Sequence, residues 1–300
     1  LVPILRLRGL RRSFGPVRAV DGVDLEVPRG SIYGILGPNG AGKTTAIRMI
    51  LNIYTCDEGE IIFDGRPLDR HAIDRIGYLP EERGLYKRLK VAEHLEYLAR
   101  LKGLSAREAR RRTGLWLERF GLADRAGAKT NELSKGMQQK VQFIGAVIAE
   151  PDLVILDEPF SGLDPINVRL LREIIEEIRR AGRTVLFSTH VMEQAEQICD
   201  HIFLINRGCK VLDGRLEDIV EHYPIDKVRV AGELEEERLG ALSHVEKVER
   251  NGNEWNLWLD PEGSPQRLLE ELITIGRVDF FAASRPPLSE IFIREVEGRS

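Results

Sequence analysis

The sequence predicts an α/β fold on a mostly parallel sheet, joined to a small α+β domain that begins after about residue 220. Three observations carry this. Short β-branched runs alternate with helical patterns over the first two thirds of the chain. A glycine-rich turn, Gly37–Thr44, sits between one such strand and the following helix. Beyond Glu221 the texture changes to a β-α-β-β-α-β order, the pattern of a ferredoxin-like unit.

The elements follow in chain order. Leu1–Arg6 alternates like a strand, the first of the expected antiparallel N-terminal strands, and shows no signal-peptide pattern. Ser31–Leu36 is a buried strand and Thr45–Leu51 the helix behind the glycine turn. Ile76–Leu79 is a further strand. A helical subdomain is expected over about residues 88–150: Leu95, Leu98, Leu101 and Leu104 recur at near-helical spacing, as do Leu115, Leu117 and Leu122. The Arg107–Arg112 cluster reads as a solvated helix face. Ser134 is placed to cap a helix from Met137 to Glu150. Leu153–Leu156, Thr184–Ser188 and Ile202–Ile205 are strands. Asp164-Pro165 opens a helix as N-cap and first residue, Ile166, Leu170, Ile174 and Ile178 share one face, and Gly182 ends it.

In the C-terminal domain, 221–300, strands are expected at Asp226–Ala231, Val245–Arg250, Glu254–Leu259 and Val278–Ala282. Asn251-Gly252-Asn253 is a hairpin turn. Glu233–Leu242, Pro265–Ile275 and Leu288–Val296 are helical, and Trp255 and Trp258 fall on opposite strand faces.

Composition bounds the function. The 300 residues are 42% hydrophobic and 31% charged, as expected of a globular protein, and the net charge of −4 offers no bulk attraction to nucleic acid. The longest apolar run, Phe143–Ala149, is far short of the roughly 20 residues that span a bilayer, so a membrane process would need a second chain. Cys56, Cys199 and Cys209 lack metal-site spacing and fit a reducing compartment.

Two motifs carry chemistry. Gly37-Pro38-Asn39-Gly40-Ala41-Gly42-Lys43-Thr44 matches the phosphate-binding P-loop, whose glycines let successive N–H groups face phosphate oxygens. Lys43 would reach the β- and γ-phosphates and the Thr44 hydroxyl would ligate Mg²⁺. Leu153–Leu156 ends in Asp157 and Glu158, at the strand end where α/β sheets bind ligands. Beside a P-loop, Asp157 is a candidate for holding Mg²⁺ and Glu158 for activating a water as general base.

Leu133-Ser134-Lys135-Gly136-Met137-Gln138-Gln139-Lys140 resembles the signature motif of ATP-binding cassette (ABC) ATPases. With the P-loop, Asp157-Glu158, the Ser161-Gly162-Leu163-Asp164 segment and Thr189-His190, the order and spacing resemble that family over residues 1 to about 220. The resemblance implies an ATPase subunit of a transporter, with ATP and Mg²⁺ as ligands, working as a homodimer. ATP would be sandwiched between one chain's P-loop, including Thr45, and Ser134, Gly136 and Gln138 of the other. It further implies that Ser161–Asp164 lines the dimer interface, that His190 bonds the γ-phosphate as a third catalytic group beside Glu158 and Lys43, and that Phe14 stacks on adenine, with burial as core filler the competing reading of Phe14. Two positions depart from the family pattern. Glu81, in Pro80-Glu81-Glu82-Arg83, stands where Gln is usual, and is expected to ligate the metal through a carboxylate oxygen while lacking an amide donor. Met137 stands where many members have Gln.

Leu288-Ser289-Glu290-Ile291-Phe292-Ile293 resembles the C-terminal extension of exporter-type members that pair with a separate ABC-2-type permease. This implies a cytoplasmic chain held at the membrane by its permease and driving export. The rival reading, a soluble family member acting on ribosomes or nucleic acid, expects tandem cassettes or long coiled coils. The chain has one P-loop, and Thr45–Glu132 lacks sustained heptads. A regulatory or interaction role is expected for the C-terminal domain.

Overall fold

The computed structural model describes residues 2–82 and 84–298. The chain divides into two compact units, one ending at Arg215 and the other starting at Leu216. The break thus falls a few residues before the turn of composition near Glu221, because the strand that closes the first sheet runs directly into a helix of the second unit.

The first unit contains β1 (Leu5–Phe14), β2 (Val17–Val27), β3 (Ile32–Leu36), α1 (Lys43–Ile50), β4 (Glu58–Phe63), β5 (Arg66–Pro67), α2 (Arg70–Asp74) and β6 (Ile76–Leu79). It continues with α3 (Val91–Leu101), α4 (Ala106–Arg119), α5 (Lys135–Val147), β7 (Leu153–Asp157), α6 (Pro165–Arg180), β8 (Thr184–Thr189), α7 (Met192–Glu196), β9 (His201–Asn206) and β10 (Cys209–Arg215). An antiparallel sheet of order β2-β1-β4-β5 accompanies a six-stranded sheet of order β10-β9-β3-β8-β7-β6. The latter is parallel throughout except for the edge strand β10. Its central strands are buried along their whole length, which is why they read as unbroken apolar runs. Tyr33, Ile35, Ile155, Leu186, Phe203 and Ile47 of α1 share one core, each buried aliphatic or aromatic side chain contributing about 1.5–3 kcal/mol.

Strand order positions the site. β3, β8 and β7 are neighbours, with Leu36 paired to Thr189 and Asp157 to Ser188. The P-loop, His190 and the two carboxylates therefore leave adjacent strands at the same carboxyl edge.

Several helices differ from the expectation in detail. The signature helix is α5, from Lys135 to Val147, rather than Met137–Glu150, because Ser134 caps it by accepting the Met137 N–H at 3.3 Å. In α6 the start at Asp164-Pro165 is as read, but the buried residues are Leu171, Ile174 and Ile175, and Ile166 is 74% exposed. The core stripe is rotated by one residue, and the first turn extends beyond the core. Leu101 and Leu115 likewise face outward, since α3 buries Val91, His94, Leu95 and Ala99, and α4 buries Ala109, Thr113 and Leu117. The arginines of α4 do form a solvated face, with Arg111 and Arg112 paired to Glu108.

The second unit holds α8 (Leu216–Glu221), β11 (Lys227–Glu233), α9 (Glu236–Gly240), β12 (Val245–Asn251), β13 (Glu254–Leu259), α10 (Pro265–Ile275), β14 (Arg277–Ser284) and α11 (Leu288–Glu297). Its sheet order, β12-β13-β11-β14, is antiparallel at every pairing and is that of a ferredoxin-like fold. Val228, Val230, Trp255, Leu257, Leu268 and Leu272 form its core. Trp258 lies on the opposite face, between the Lys227 and Lys247 ammonium groups at 4.9 and 4.6 Å from its ring centre.

Candidate nucleotide site

The turn after β3 can close as it does only with glycine at its constrained positions. At Gly42, which precedes α1, φ is +110° and a Cβ would lie 2.3 Å from the Ala19 carbonyl oxygen. The loop walls a cavity of about 530 Å³ whose lining includes Asn39–Thr45, Glu81 and Glu158.

Lys43 crosses the floor of the loop, 6% exposed, and donates to the carbonyls of Gly37 and Pro38 at 2.8 and 3.1 Å. Its ammonium is 4.0 Å from Glu158 Oε1. Burial pushes the Lys43 ammonium below its ordinary value, while Glu158, Asp157 and Glu81 draw it back up.

Asp157 and Glu158 are 1% and 9% exposed. The Ser188 hydroxyl donates to Asp157 Oδ1, and Oδ2 is buried with no hydrogen-bond partner among the described residues. Burial raises the Asp157 carboxyl above its ordinary value, and the nearby Ser188 and Thr44 hydroxyls draw it back down. A buried carboxylate oxygen left unpaired beside the Thr44 hydroxyl suits a hard divalent cation. Glu158 adopts left-handed backbone, φ +51°, immediately before Pro159. This strain turns the residue out of β7 and into the cavity. Its Oε1 is 2.9 Å from His190 Nδ1, and Thr189 Oγ1 donates to Oε2 at 3.3 Å. The His190 ring therefore stands beside Glu158 rather than among the cavity-lining residues.

Other sequence candidates are placed differently. Phe14 is 42% exposed at the end of β1, edge-on to Tyr54 at 5.4 Å and under the Arg12 guanidinium, so it is neither core filler nor part of the phosphate cavity lining. Ser134 and Gly136 stand at the start of α5, outside that lining, with Gly136 facing Leu163. Gln138, expected at the ATP of a second copy, turns its carboxamide toward its own chain and donates to the Thr130 and Leu133 carbonyls at 3.3 and 3.1 Å. That use braces the loop before α5. Asp164 caps α6 through the Asn167 N–H at 3.0 Å, and Ser161 and Gly162 are exposed beside it.

Arg18 and Arg207 also line the cavity, and sequence reasoning passed over both. Neither lies in a motif. Arg207 reaches the site because it turns in left-handed backbone, φ +49°, after β9, the strand beside β3.

The chain matches the ABC transporter family model over residues 20–161, and the C-terminal domain model of DrrA1-3-like ATP-binding proteins over residues 214–296. It is 42% identical over 293 residues to the ABC transporter ATP-binding protein YhaQ of Bacillus subtilis, covering 98% of each chain. It is 37% identical to the Nod factor export ATP-binding protein I of Cupriavidus metallidurans, over 84% of this chain and 85% of that one. Among solved structures, an ATP-binding subunit of an ABC transporter superposes with a TM-score of 0.69 at 34% identity, covering 73% of this chain and 92% of the other. CbiO1 of Clostridium perfringens, part of the cbiONQ transporter complex, superposes at 0.63 with 27% identity, over 74% and 94%. A P-loop backed by paired carboxylates, in a chain similar to such proteins along nearly its whole length, places it in the ABC transporter family as an ATP-binding, ATP-hydrolysing subunit.

Proposed function

We propose that two copies of this chain sandwich two ATP molecules, each between the P-loop of one copy and Ser134 and Gly136 of the other, and that closure drives export through a separate membrane permease. The observation that carries this reading is positional. Lys43, Thr44 and Glu158 meet in one cavity, whereas Ser134, Gly136 and the exposed first turn of α6 with Ile166 lie outside it. The start of α5 offers free N–H groups and a positive helix end suited to a γ-phosphate supplied by a second copy. Ser161, Gly162, Leu163 and Asp164 would then lie at the interface between copies.

In each site the loop N–H groups of Asn39 to Thr45 and the Lys43 ammonium hold the phosphates. Thr44, Asp157 and the exposed Glu81 would hold Mg²⁺, which supplies charge neutralisation at the β- and γ-phosphates. Glu158, turned toward the cavity, orients and deprotonates the attacking water. His190 holds the Glu158 carboxylate and, by the family resemblance, would bond the γ-phosphate. Phe14 and Tyr54 form an aromatic edge where adenine would stack.

Export is supported by the Nod factor export relatives, and a multi-chain assembly by the cbiONQ neighbour. No helix among the described residues is long and apolar enough to cross a membrane. Attachment to the cytoplasmic face would therefore run through the permease, of ABC-2 type by the C-terminal resemblance. An apolar groove of about 440 Å³, lined by Tyr78, Pro80, Leu98 and Leu101 beside the Glu81 loop, offers a seat for a permease segment. Nucleic acid is not an expected partner. The test is Glu158→Gln: it should bind ATP, accumulate as a dimer by light scattering and lose turnover. A variant that hydrolyses ATP at the original rate as a monomer would refute the reading.

A further inference from the structure

Two glutamines one helical turn apart on α5 reach two different loops of the nucleotide site. Gln139 Nε2 donates to the carbonyl of Pro159 at 2.7 Å, the residue directly after Glu158. Gln142 Nε2 donates to the carbonyl of Glu82 at 3.1 Å, the residue directly after Glu81. Residues three apart share a helix face, so both amides leave α5 on the same side. Gln142 is 9% exposed, a buried amide on a helix whose neighbouring positions, Val141, Phe143 and Ile144, are apolar and fully buried. Such a group is costly to bury unless its hydrogen bond is needed. The carbonyls it and Gln139 hold belong to loops rather than to helices or strands, and no strand ladder would otherwise fix them.

We infer that Gln139 and Gln142 are positioning residues that form a two-point brace. They fix the carboxylates of Glu158 and Glu81 relative to the signature helix. The inference deepens the proposed function and rests on its assignment of both carboxylates to the nucleotide site and of the start of α5 to the second ATP. Under the brace, that start cannot shift without dragging both acidic loops, and the loops cannot close on their own nucleotide without moving Ser134. The two arms are separable. Gln142 sets the loop of Glu81 and hence the metal requirement, and Gln139 sets Glu158 and hence the chemical step.

The test compares Gln139→Met and Gln142→Met, which keep chain length and helix propensity but remove the donor. The first readout is the Mg²⁺ concentration that half-saturates ATP-dependent dimerisation, in full-length protein carrying Glu158→Gln. The second is kcat at saturating Mg²⁺ with Glu158 intact. Gln142→Met should raise the Mg²⁺ requirement roughly tenfold, and Gln139→Met should leave it unchanged while lowering kcat roughly tenfold or more, the scale expected for a displaced reacting group. Equal effects of both variants on both readouts, or no effect beyond a lower melting temperature, would overturn the brace. If the Glu158→Gln parent fails to dimerise with ATP at any Mg²⁺ concentration, the composite-site reading falls and the brace with it. Should a Met variant not fold, hydrogen exchange on the unmodified chain decides. The brace requires α5 to gain protection at the same Mg·ATP concentration as the Glu81 and Glu158 loops, and an unresponsive α5 refutes it.

Discussion

Gly42→Ala should abolish nucleotide function for a reason that does not apply to Gly40→Ala, although both residues sit in one motif. Both have left-handed backbone, φ +110° at Gly42 and +78° at Gly40. An alanine forced into that region costs about 1–2 kcal/mol. At Gly40 nothing among the described residues lies within 4 Å of the added methyl, so the strain is the whole effect. At Gly42 the methyl would sit 2.3 Å from the Ala19 carbonyl oxygen, inside the 3.0 Å that real Cβ contacts respect. The loop would have to retreat from β2 by at least ~0.7 Å, carrying Lys43 and Thr44 with it, and a misplacement of that size costs up to about a hundredfold in rate. The assay is ATP affinity and turnover for both variants, with thermal melting as the control. Gly40→Ala should lose a few degrees and keep ATP affinity within about tenfold, the equivalent of 1.4 kcal/mol. Gly42→Ala should lose turnover roughly a hundredfold. Equal behaviour of the two variants would refute the argument from the Ala19 contact.

Three further outcomes are expected. Burial holds the His94 imidazole below its ordinary value, so the unfolded chain takes up the proton first. Its stability contribution is intact above pH 6.5, the unfolded value, and falls as pH drops toward the folded one. Urea midpoints taken between roughly pH 7.5 and pH 5.5 should decline, and His94→Phe should flatten part of that slope. Leu257→Ala, in the centre of the second unit's core, should cost about 2–5 kcal/mol there. Calorimetry should show that unit melting earlier while ATP binding by the first unit persists. Arg207→Ala should weaken ATP binding roughly tenfold through loss of a charge-assisted contact, measured by titration calorimetry, with little change in melting.

Local chemistry made much of this fold readable. Pro265 at the first helical position and a clean apolar stripe define α10 from Pro265 to Ile275 as expected, and Asp164-Pro165 marks the start of α6. The P-loop and the strand-end carboxylates were legible because each is a contiguous pattern whose chemistry depends on backbone next to it. What escaped depends on distant packing. The buried stripe of α6 is turned one residue from the one its apolar spacing predicts, because sheet contacts rather than the first turn set its rotation. The place of Gln138 in the motif points to the nucleotide, and only the folded chain shows its amide also held by carbonyls five and eight residues back. Arg207 enters the site through strand order, and the Gln142–Glu82 bond joins residues 60 apart in sequence, so no local period could announce either.

The central claim is that each ATP site is built from two chains, and mixing complementary variants tests it most directly. Lys43→Ala removes the P-loop cation and Ser134→Arg blocks the start of α5, so each alone should be nearly inactive. Mixed in equal amounts, half the dimers pair the two variants, and each such dimer regains one intact site. The mixture should recover about a quarter of the original turnover if subunits exchange freely and sites act independently. Activity no greater than that of the two separate variants, with mixed dimers confirmed by mass spectrometry, would contradict the account.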